Sequence, residues 1–296
     1  MSSELEKAYE YCESITKTHA KSFYFAAKFL PKHKRRPIYA LYALCRKVDD
    51  EVDEIGENNE AAAVKAVENW QRSLEEIYDQ KSETGNQKSE AGSLVFTAWR
   101  DLLQLHKIPK KLPLELMQGV LMDTNIKRYE TFDELYVYCY RVASTVGLMS
   151  SEIFGYTDEK TLEYAEALGI AMQLTNILRD VKEDALMSRI YLPQEDLRRF
   201  DVSEQQIFDN QLDGNFVEMM KFQIGRARDY YRKSEKGISL LEKDTRFTVL
   251  LASRIYGRIL DEIERQNYDV FKKRAHTTFS QKLLIIPKIW LESKRL

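Results

Sequence analysis

The residues that first suggest chemistry in this sequence are aspartates spaced four apart. The run CRKVDDEVDE contains Asp49 and Asp53, and residues four apart on a helix lie one above the other. Like charges in that arrangement repel by roughly a few tenths of a kcal/mol, so a cation between the two carboxylates would explain the pattern. On its own the pair indicates little, because an acidic helix face is more often simply solvated.

A second stretch repeats the spacing with three oxygen-bearing side chains. In LTNILRDVKEDALMSRIYLP, Asn176, Asp180 and Asp184 stand at four-residue intervals, which on a continuous helix gives a stripe about 12 Å long. Carboxylate and amide oxygens suit a hard cation such as Mg²⁺. The four histidines are scattered and lack the spacing of a zinc site. Together the two stretches predict a magnesium site.

Arginines accompany both acidic stretches. Arg46 precedes Asp49, Arg179 adjoins Asp180, and Arg189 follows the second stretch. Arginine makes bidentate contacts to phosphate oxygens, and Mg²⁺ usually binds one or two carboxylates together with substrate phosphates. Because the surrounding helix positions are mostly apolar, this pattern is typical of a site that holds a diphosphate above a hydrophobic cavity.

The elements that must position these residues are helices. Apolar residues recur at helical spacing, alternating strand patterns are nearly absent, and glycine (11) and proline (6) are scarce. We predict helices over 37–55, with the proline in the first turn, over 59–78, and from 157 past 184. A polar loop is predicted over 80–93, and two or three further helices over 216–268. The chain shows no repeat and no composition break, so we predict one all-α domain over 1–296.

Composition and charge argue against several classes of protein. The formal net charge is −2 with 31% charged residues, which gives no reason to expect nucleic acid as a partner. Three widely spaced cysteines without a CxxC pair fit a reducing cytoplasm. The charged first residues lack the apolar segment of a signal peptide. No uncharged apolar run reaches about 18 residues, so no membrane-spanning helix is predicted.

The apolar end of the sequence, QKLLIIPKIWLESKRL, leaves two interpretations open. It mixes leucine, isoleucine and tryptophan with lysine and arginine. The favoured interpretation is a last helix packed on the core. The alternative is a helix that lies on a membrane surface, which would give a cytoplasmic protein peripheral membrane contact.

Four stretches together resemble the squalene/phytoene synthase family, the head-to-head class of trans-isoprenyl diphosphate synthases. They are HAKSFYFAAKFLP (19–31), YALCRKVDDEVDE (42–54), YCYRVASTVGLMSSEIFG (138–155) and QLTNILRDVKEDALMSRIYLP (173–193), in family order. The resemblance implies a single-domain, all-α isoprenoid synthase fold with a central cavity. It is closest to the bacterial phytoene and dehydrosqualene synthases.

The resemblance also implies roles for individual residues. The implied metal ligands are Asp49, Asp53, Asn176, Asp180 and Asp184, and the implied catalytic residues are these four aspartates with Tyr138. The implied diphosphate contacts are Arg46, Arg179 and Arg189, with Lys21, Ser22, Tyr191, Tyr256 and either Lys273 or Arg274 as weaker matches. The implied lining where two prenyl chains meet is Phe23, Tyr138, Val142, Ala143, Val146, Gly147 and Gln173. From spacing alone, the apolar patch at 142–147 is equally well explained as helix core.

By the same resemblance, the reaction joins two prenyl diphosphates with Mg²⁺, or alternatively Mn²⁺, as the cofactor. One diphosphate leaves, the C2=C3 double bond of the second substrate attacks the allylic cation, and proton loss gives a cyclopropylcarbinyl diphosphate. A second ionisation rearranges this ring to a linear hydrocarbon. The sequence shows no clear general base for the proton, and released diphosphate and Tyr138 are the candidates.

The product is the least determined part of this prediction. Ala26 and Ala27 follow Phe23 at helical spacing and favour a long tail, hence 15-cis-phytoene from two C20 geranylgeranyl diphosphates in carotenoid biosynthesis. Tyr39 and Phe25 could restore the bulk. The alternatives are a dehydrosqualene, squalene or presqualene diphosphate synthase using C15 farnesyl diphosphate, with NADPH needed only for squalene.

Three further points remain open or are less favoured. A chain-elongating prenyl synthase would also carry the DDEVD pattern, but NILRDVKED followed by RIYLP favours the head-to-head branch. A non-catalytic helical assembly factor of the same fold would be expected to lose the acidic residues. The sequence does not determine the oligomeric state.

Overall fold

The computed structural model describes residues 3–55, 59–79 and 90–296, and these residues contain helices but no β-strand. The prediction of an all-α fold is therefore confirmed. The α-helices of the described residues are α1 Ser3–His19, α2 Lys21–Ala27, α3 Lys32–Ile55, α4 Glu60–Tyr78, α5 Glu90–Leu105, α6 Lys111–Asn125, α7 Phe132–Cys139, α8 Thr145–Phe154, α9 Lys160–Arg179, α10 Val181–Leu186, α11 Gln194–Arg199, α12 Glu204–Phe208, α13 Gly214–Glu235, α14 Lys243–Arg265 and α15 Phe279–Ser293. A π-helical turn, Tyr140–Ser144, joins α7 to α8, and a 3₁₀ turn, Ile238–Leu240, precedes α14.

Helix α4 shows how sequence pattern becomes structure in this protein. Asn59 is the residue before the helix, and its side chain accepts a hydrogen bond from the Ala62 backbone N–H at 3.2 Å, which satisfies one of the unpaired N–H groups of the first turn. The buried side chains then recur at three- and four-residue intervals, as an amphipathic helix requires. They are Ala63, Val67, Trp70, Leu74 and Ile77.

Two predicted boundaries were wrong, the start of one helix and the end of one loop. Helix α3 begins at Lys32, so Pro37 is its sixth residue and lies outside the first turn. The helix continues across the proline because its flanking turns are buried against other helices, and this packing outweighs the local cost of the missing N–H. The predicted loop at 80–93 lies mainly outside the described residues, and its last four residues belong to α5.

The predicted continuous helix through Asp184 was also wrong. Helix α9 ends at Arg179, and a separate short helix, α10, begins at Val181. Asp180 between them has φ −105° and ψ 16°, outside the helical region. The three oxygen-bearing residues therefore do not lie on one continuous helix.

The buried apolar residues form three clusters around a common centre. One joins α1, α3, α4 and α5; a second joins α7, α9, α13 and the segments between them; a third joins α2, α14 and α15. Lys34 ties the first cluster to the third, since its ammonium donates to Glu242 at 2.5 Å and to Asp244 at 2.7 Å at the start of α14. Among the described residues, no helix is long and apolar enough to cross a membrane.

Candidate active site

A cavity of about 500 Å³ lies where these clusters meet, between α2, α3, α6, α8, α9 and α14. This volume is within the usual range for a small-molecule site. Most of the wall is apolar, and its charged and amide groups come from three helices. These polar lining residues are Arg46, Asp49, Asp123, Gln173 and Asn176.

Helix α3 carries the first acidic group. The Arg46 guanidinium pairs with Asp49 at 3.0 Å and with Asp50 at 2.6 Å. Burial and the nearby Asp53 carboxylate raise the pKa of Asp49 to about 6, against the opposing effect of Arg46. Burial also raises the pKa of Asp53, although Arg46 and Arg189 oppose the shift. The pKa values of both neighbouring carboxylates are raised, which means that the charged forms are disfavoured here. This site therefore lacks positive charge.

The second acidic group lies where helix α9 ends and α10 begins. Asp180 accepts bidentate hydrogen bonds from Arg179, at 2.7 and 2.5 Å, and from Arg274, at 2.7 and 2.9 Å. Burial alone would raise the pKa of Asp180, but the two guanidiniums outweigh it and the pKa is lowered. Of the two alternatives left open by the sequence, Arg274 rather than Lys273 therefore contacts an acidic residue of the site.

Asp184 and Asn176 complete this group. Burial, together with the charges of Asp180 and Asp123, raises the pKa of Asp184 to about 8, although Arg189 opposes the shift. The Asn176 amide N–H donates to Gln173 at 3.3 Å, while its Oδ1 is buried and accepts no hydrogen bond from the described part of the chain. A buried carbonyl oxygen without a donor is an available ligand for a cation.

The structure reveals one functional candidate that sequence reasoning missed. Asp123, near the end of α6, lines the cavity and accepts hydrogen bonds from Tyr191 at 2.7 Å and from Tyr138 at 3.0 Å. Its charge also acts on Asp49 and Asp184, one from each acidic group. The stretch MDTN has no acidic partner at four-residue spacing, so the only available signal was an aspartate that follows the apolar run VLM.

The apolar wall predicted at 142–147 exists and is also a close helix contact. The π-helical turn brings Val142 and Ala143 into the cavity lining, followed by Val146 and Gly147 on α8. A Cβ at Gly147 would lie 2.8 Å from the Ala165 carbonyl oxygen of α9. Both interpretations of the patch therefore hold, since its glycine allows close packing while its other side chains face the cavity.

The remaining predicted residues divide into two sets. Ser22, Phe23, Gln173 and Tyr256 line the cavity, whereas Lys21 is exposed and absent from the lining. Tyr42 also lines the cavity, and its ring stacks on Phe23 with centroids 5.6 Å apart. Arg179, Arg189 and Tyr191 lie beside the acidic groups rather than in the main lining.

The carboxylate and amide oxygens of the two acidic groups are the ligand type that a hard divalent cation prefers. The described side chains are not already arranged around such an ion. No group of three histidine, cysteine, aspartate or glutamate side chains in the described ranges is already arranged to hold a metal ion. Asp180 is paired with two arginines instead. The oxygen-only donors, the unpartnered Asn176 Oδ1 and the raised pKa values of Asp49 and Asp184 all favour added positive charge.

Comparison with known proteins decides the family. The model of the squalene/phytoene synthase family matches residues 16–281. The chain belongs to this family. Its members are prenyltransferases that condense prenyl diphosphates, and they depend in general on divalent metals.

Individual relatives agree with this assignment. The chain is 40% identical to a 15-cis-phytoene synthase of Synechocystis sp., covering 98% of this chain and 86% of that protein. It is also 40% identical to a 15-cis-phytoene synthase of Synechococcus elongatus, covering 98% and 94%. Among solved structures, a dehydrosqualene synthase with bound ligand superposes with a TM-score of 0.89 at 32% identity, covering 99% of both chains. A squalene synthase from Alicyclobacillus acidocaldarius gives a TM-score of 0.80 at 25% identity, covering 90% and 97%.

Proposed function

We propose that this protein, as one domain over 1–296, condenses two geranylgeranyl diphosphates head to head to form 15-cis-phytoene in carotenoid biosynthesis. The observation that carries the proposal is an apolar cavity lined by Asp49 of the first acidic group and Asn176 of the second. Each group also contains an aspartate that is paired with arginine. Relatives named 15-cis-phytoene synthases, at 40% identity over nearly the whole chain, support the choice of product.

Each polar group has a defined task in this reaction. Arg46, Arg179, Arg189 and Arg274 would hold diphosphate oxygens, because guanidinium groups match them bidentately. Asp49, Asp53, Asn176, Asp180 and Asp184 would hold Mg²⁺, or Mn²⁺ in its place. Bound there, the metal would supply positive charge that stabilises the leaving diphosphate.

The apolar residues would carry the hydrocarbon part of the reaction. The reacting prenyl carbons would be enclosed by Phe23, Tyr138, Val142, Ala143, Val146, Gly147 and Gln173. A water-poor wall of this kind prevents capture of a carbocation by water. Ser22 and Tyr256, which also line the cavity, would be weaker contacts to the diphosphate. Further weak contacts to the diphosphate would come from Tyr191, whose ring stacks on Tyr138, and from the exposed Lys21 at the start of α2.

The cavity also bears on substrate length. Ala26 and Ala27 are buried and line it, so the wall at α2 carries little bulk. Neither residue that could restore the bulk belongs to the lining: Tyr39 packs against Tyr24 with ring centroids 5.5 Å apart, and Phe25 packs against Phe29 at 5.9 Å. Space at this wall favours C20 over C15 substrates.

The deciding experiment offers the purified protein C15 and C20 prenyl diphosphates with Mg²⁺, with and without NADPH. Extraction and mass measurement should show a C40 hydrocarbon from C20 substrate, independent of NADPH. A C30 hydrocarbon, or a cyclopropyl diphosphate as the end product, would replace phytoene with one of the farnesyl diphosphate reactions. No condensation with either substrate would support the non-catalytic assembly protein.

Variants of the acidic groups test the metal assignment. Asp49→Ala and Asp180→Ala should each nearly abolish product formation while circular dichroism shows unchanged helix content. Glu54→Ala removes a carboxylate from an exposed position of the same α3 helix and should retain activity. Full turnover by both aspartate variants would contradict the assigned roles.

A bulk substitution tests the length assignment. Ala27→Phe places a large side chain at the cavity wall and should lower turnover of C20 substrate more than that of C15 substrate. Ala61→Phe, at an exposed position of α4, is the matched control and should leave the ratio unchanged. An unaltered C20-to-C15 ratio in Ala27→Phe would show that the wall at α2 does not set chain length.

We further propose that α15 contacts an anionic membrane surface. Its inner residues Ile285 and Ile289 are buried, while its outer face is apolar and open to solvent, with Leu284 77% exposed. The other members of this outer face are Phe279, Leu283, Trp290 and Leu291. Lys282, Lys288, Lys294 and Arg295 flank it, so this helix is basic in a protein whose net charge is −2. Apolar area with basic flanks favours binding to anionic lipid.

Vesicle co-sedimentation tests this contact. The protein should sediment with vesicles that contain phosphatidylserine or phosphatidylglycerol and less with phosphatidylcholine vesicles. The double variant Leu284→Glu/Leu291→Glu should lose this binding while its activity in detergent stays unchanged. Equal sedimentation of the variant and the parent protein would exclude α15 as the contact.

A further inference from the structure

Asp123 forms the centre of a cluster of tyrosines. Tyr191 donates its hydroxyl to one carboxylate oxygen at 2.7 Å, and Tyr138 donates to the other at 3.0 Å. The two rings stack with centroids 5.1 Å apart, and Tyr129 packs against both, at 5.6 Å from Tyr138 and 6.0 Å from Tyr191. All three rings are buried. The carboxylate is therefore fixed in place, and so are the hydroxyls that point at it.

Local chain pairing explains why these residues meet. The segment after α6 runs beside the segment after α10, with Ile190 N–H donating to Lys127 C=O at 3.0 Å and Gln194 N–H to Tyr129 C=O at 2.9 Å. This pairing brings Tyr191 to the end of α6, where Asp123 lies. Tyr138 comes from α7, immediately before the π-helical turn. Turns of this type inside helices are frequent at functional sites.

The hydrogen bonds fix the direction of the Tyr138 hydroxyl. Burial and the Asp123 charge raise the pKa of Tyr138 well above its ordinary value, so the phenol stays protonated. With its proton directed at Asp123, the phenol oxygen can present lone pairs only to the other side. Both Tyr138 and Asp123 line the cavity, and partial negative charge there would stabilise a cation next to it.

We propose that Asp123 is a positioning residue, which orients the Tyr138 hydroxyl so that its oxygen faces the cationic carbons of the reacting prenyl chains. This inference rests on the proposed head-to-head condensation. Tyr191 occupies the second carboxylate oxygen and prevents the carboxylate from turning away from Tyr138. Three of the four arginines proposed to hold the diphosphate, Arg46, Arg179 and Arg274, pair with other aspartates. Asp123 should therefore affect the chemical steps more than substrate binding.

The experiment is a double-mutant cycle between Asp123 and Tyr138 in the full-length protein. Asp123→Leu should lower kcat on the order of 100-fold with little change in KM for the prenyl diphosphate. Tyr138→Phe should lower it to a similar extent. The double variant should be no slower than the more impaired single variant, because the two changes remove the same interaction. Release of a cyclopropyl diphosphate should rise in all three.

Two further variants keep the test decisive. Asp123→Asn retains volume and one acceptor oxygen, and should lie between the parent and Asp123→Leu in kcat; it also serves if the leucine variant does not fold. Asp101→Leu removes another tyrosine–aspartate hydrogen bond, from Tyr9 at 2.6 Å between α1 and α5, and should lower the unfolding temperature without lowering kcat.

The outcomes separate this inference from the proposed function. If the parent protein condenses neither C15 nor C20 substrate, the proposed function fails. If the parent is active and Asp123→Leu keeps its kcat, or if the losses from Asp123→Leu and Tyr138→Phe multiply, Asp123 does not act through Tyr138. A loss confined to KM would likewise overturn the positioning role.

Discussion

The raised pKa of Asp184 makes a quantitative prediction about metal affinity. Burial, with Asp180 and Asp123 nearby, raises this pKa to about 8, so near neutral pH the carboxyl is mostly protonated in the metal-free protein. A proton and a divalent cation compete for the same carboxylate. Each pH unit below the pKa therefore weakens metal binding about tenfold, or about 1.4 kcal/mol.

The expected size of the effect follows directly. Between pH 6.5 and 8.5 the ionised fraction of a carboxyl with a pKa near 8 increases about 25-fold, so the apparent Kd for Mn²⁺ or Mg²⁺ should fall by about that factor. Asp49, with a pKa of about 6, adds a smaller effect at the acidic end. Asp180 adds none in this range, because its pKa is already lowered.

Isothermal titration of the substrate-free protein with Mn²⁺ measures both the affinity and the protons released. Near pH 7 about one proton should leave per ion bound, detected by repeating the titration in buffers of different ionisation enthalpy. Asp184→Asn should bind more weakly and lose most of the pH dependence, while Asp209→Asn, at an exposed position, should match the parent. A parent affinity that is constant from pH 6.5 to 8.5 would refute the reasoning.

The sign of the same shift applies to stability. A folded-state pKa above the unfolded value of 3.8 means that the folded protein binds the proton more tightly. The contribution of Asp184 to the stability of the metal-free protein is therefore fully present below about pH 4. It is lost as the pH rises through 8.

Three further predictions concern an ion pair of the site, a close helix contact and a buried lysine. Arg274→Gln should tighten Mn²⁺ binding without substrate, because it frees the Asp180 carboxylate, yet raise KM for the prenyl diphosphate about tenfold; Lys273→Gln should change neither. Gly169→Ala places a Cβ 2.4 Å from the backbone of the π-helical turn and should lower the free energy of unfolding in urea by about 1–3 kcal/mol. The matched control Gly225→Ala, whose Cβ would lie in open space, should raise it by about 0.5–1 kcal/mol. Lys34→Met should lower the free energy of unfolding by about 1–3 kcal/mol in the same assay, because it removes three hydrogen bonds from a buried ammonium; an unchanged midpoint would contradict this.

Features set by local spacing were predicted well from the sequence. The helix over 59–78 is confirmed almost to the residue, because a capping asparagine and a strong apolar period coincide there. The acidic groups and their arginines were recognised because each lies within one helix or one short run of sequence. That residues 1–296 form one domain stays a prediction, as do the individual catalytic roles.

Features set by contacts between distant segments could not be predicted in the same way. No glycine or proline marks the break at Asp180, whose carboxylate accepts hydrogen bonds from Arg274, 94 positions away in the sequence. Asp123 has no local partner, and its significance becomes visible only when Tyr138 and Tyr191 arrive from two other segments. Local patterns report which residues could do chemistry, whereas tertiary contacts decide which of them meet.

The charges of the site explain why the residues proposed to hold metal and those proposed to hold diphosphate pair with each other. Arg46 pairs with Asp49, and Arg179 and Arg274 pair with Asp180. A guanidinium that turns toward a diphosphate leaves a buried carboxylate without its partner, which is costly unless a cation replaces it. A cation that takes the carboxylate in turn releases the guanidinium. Under the proposed roles, each ligand would offset the cost of binding the other, so these aspartate–arginine pairs would make binding of the two ligands mutually dependent.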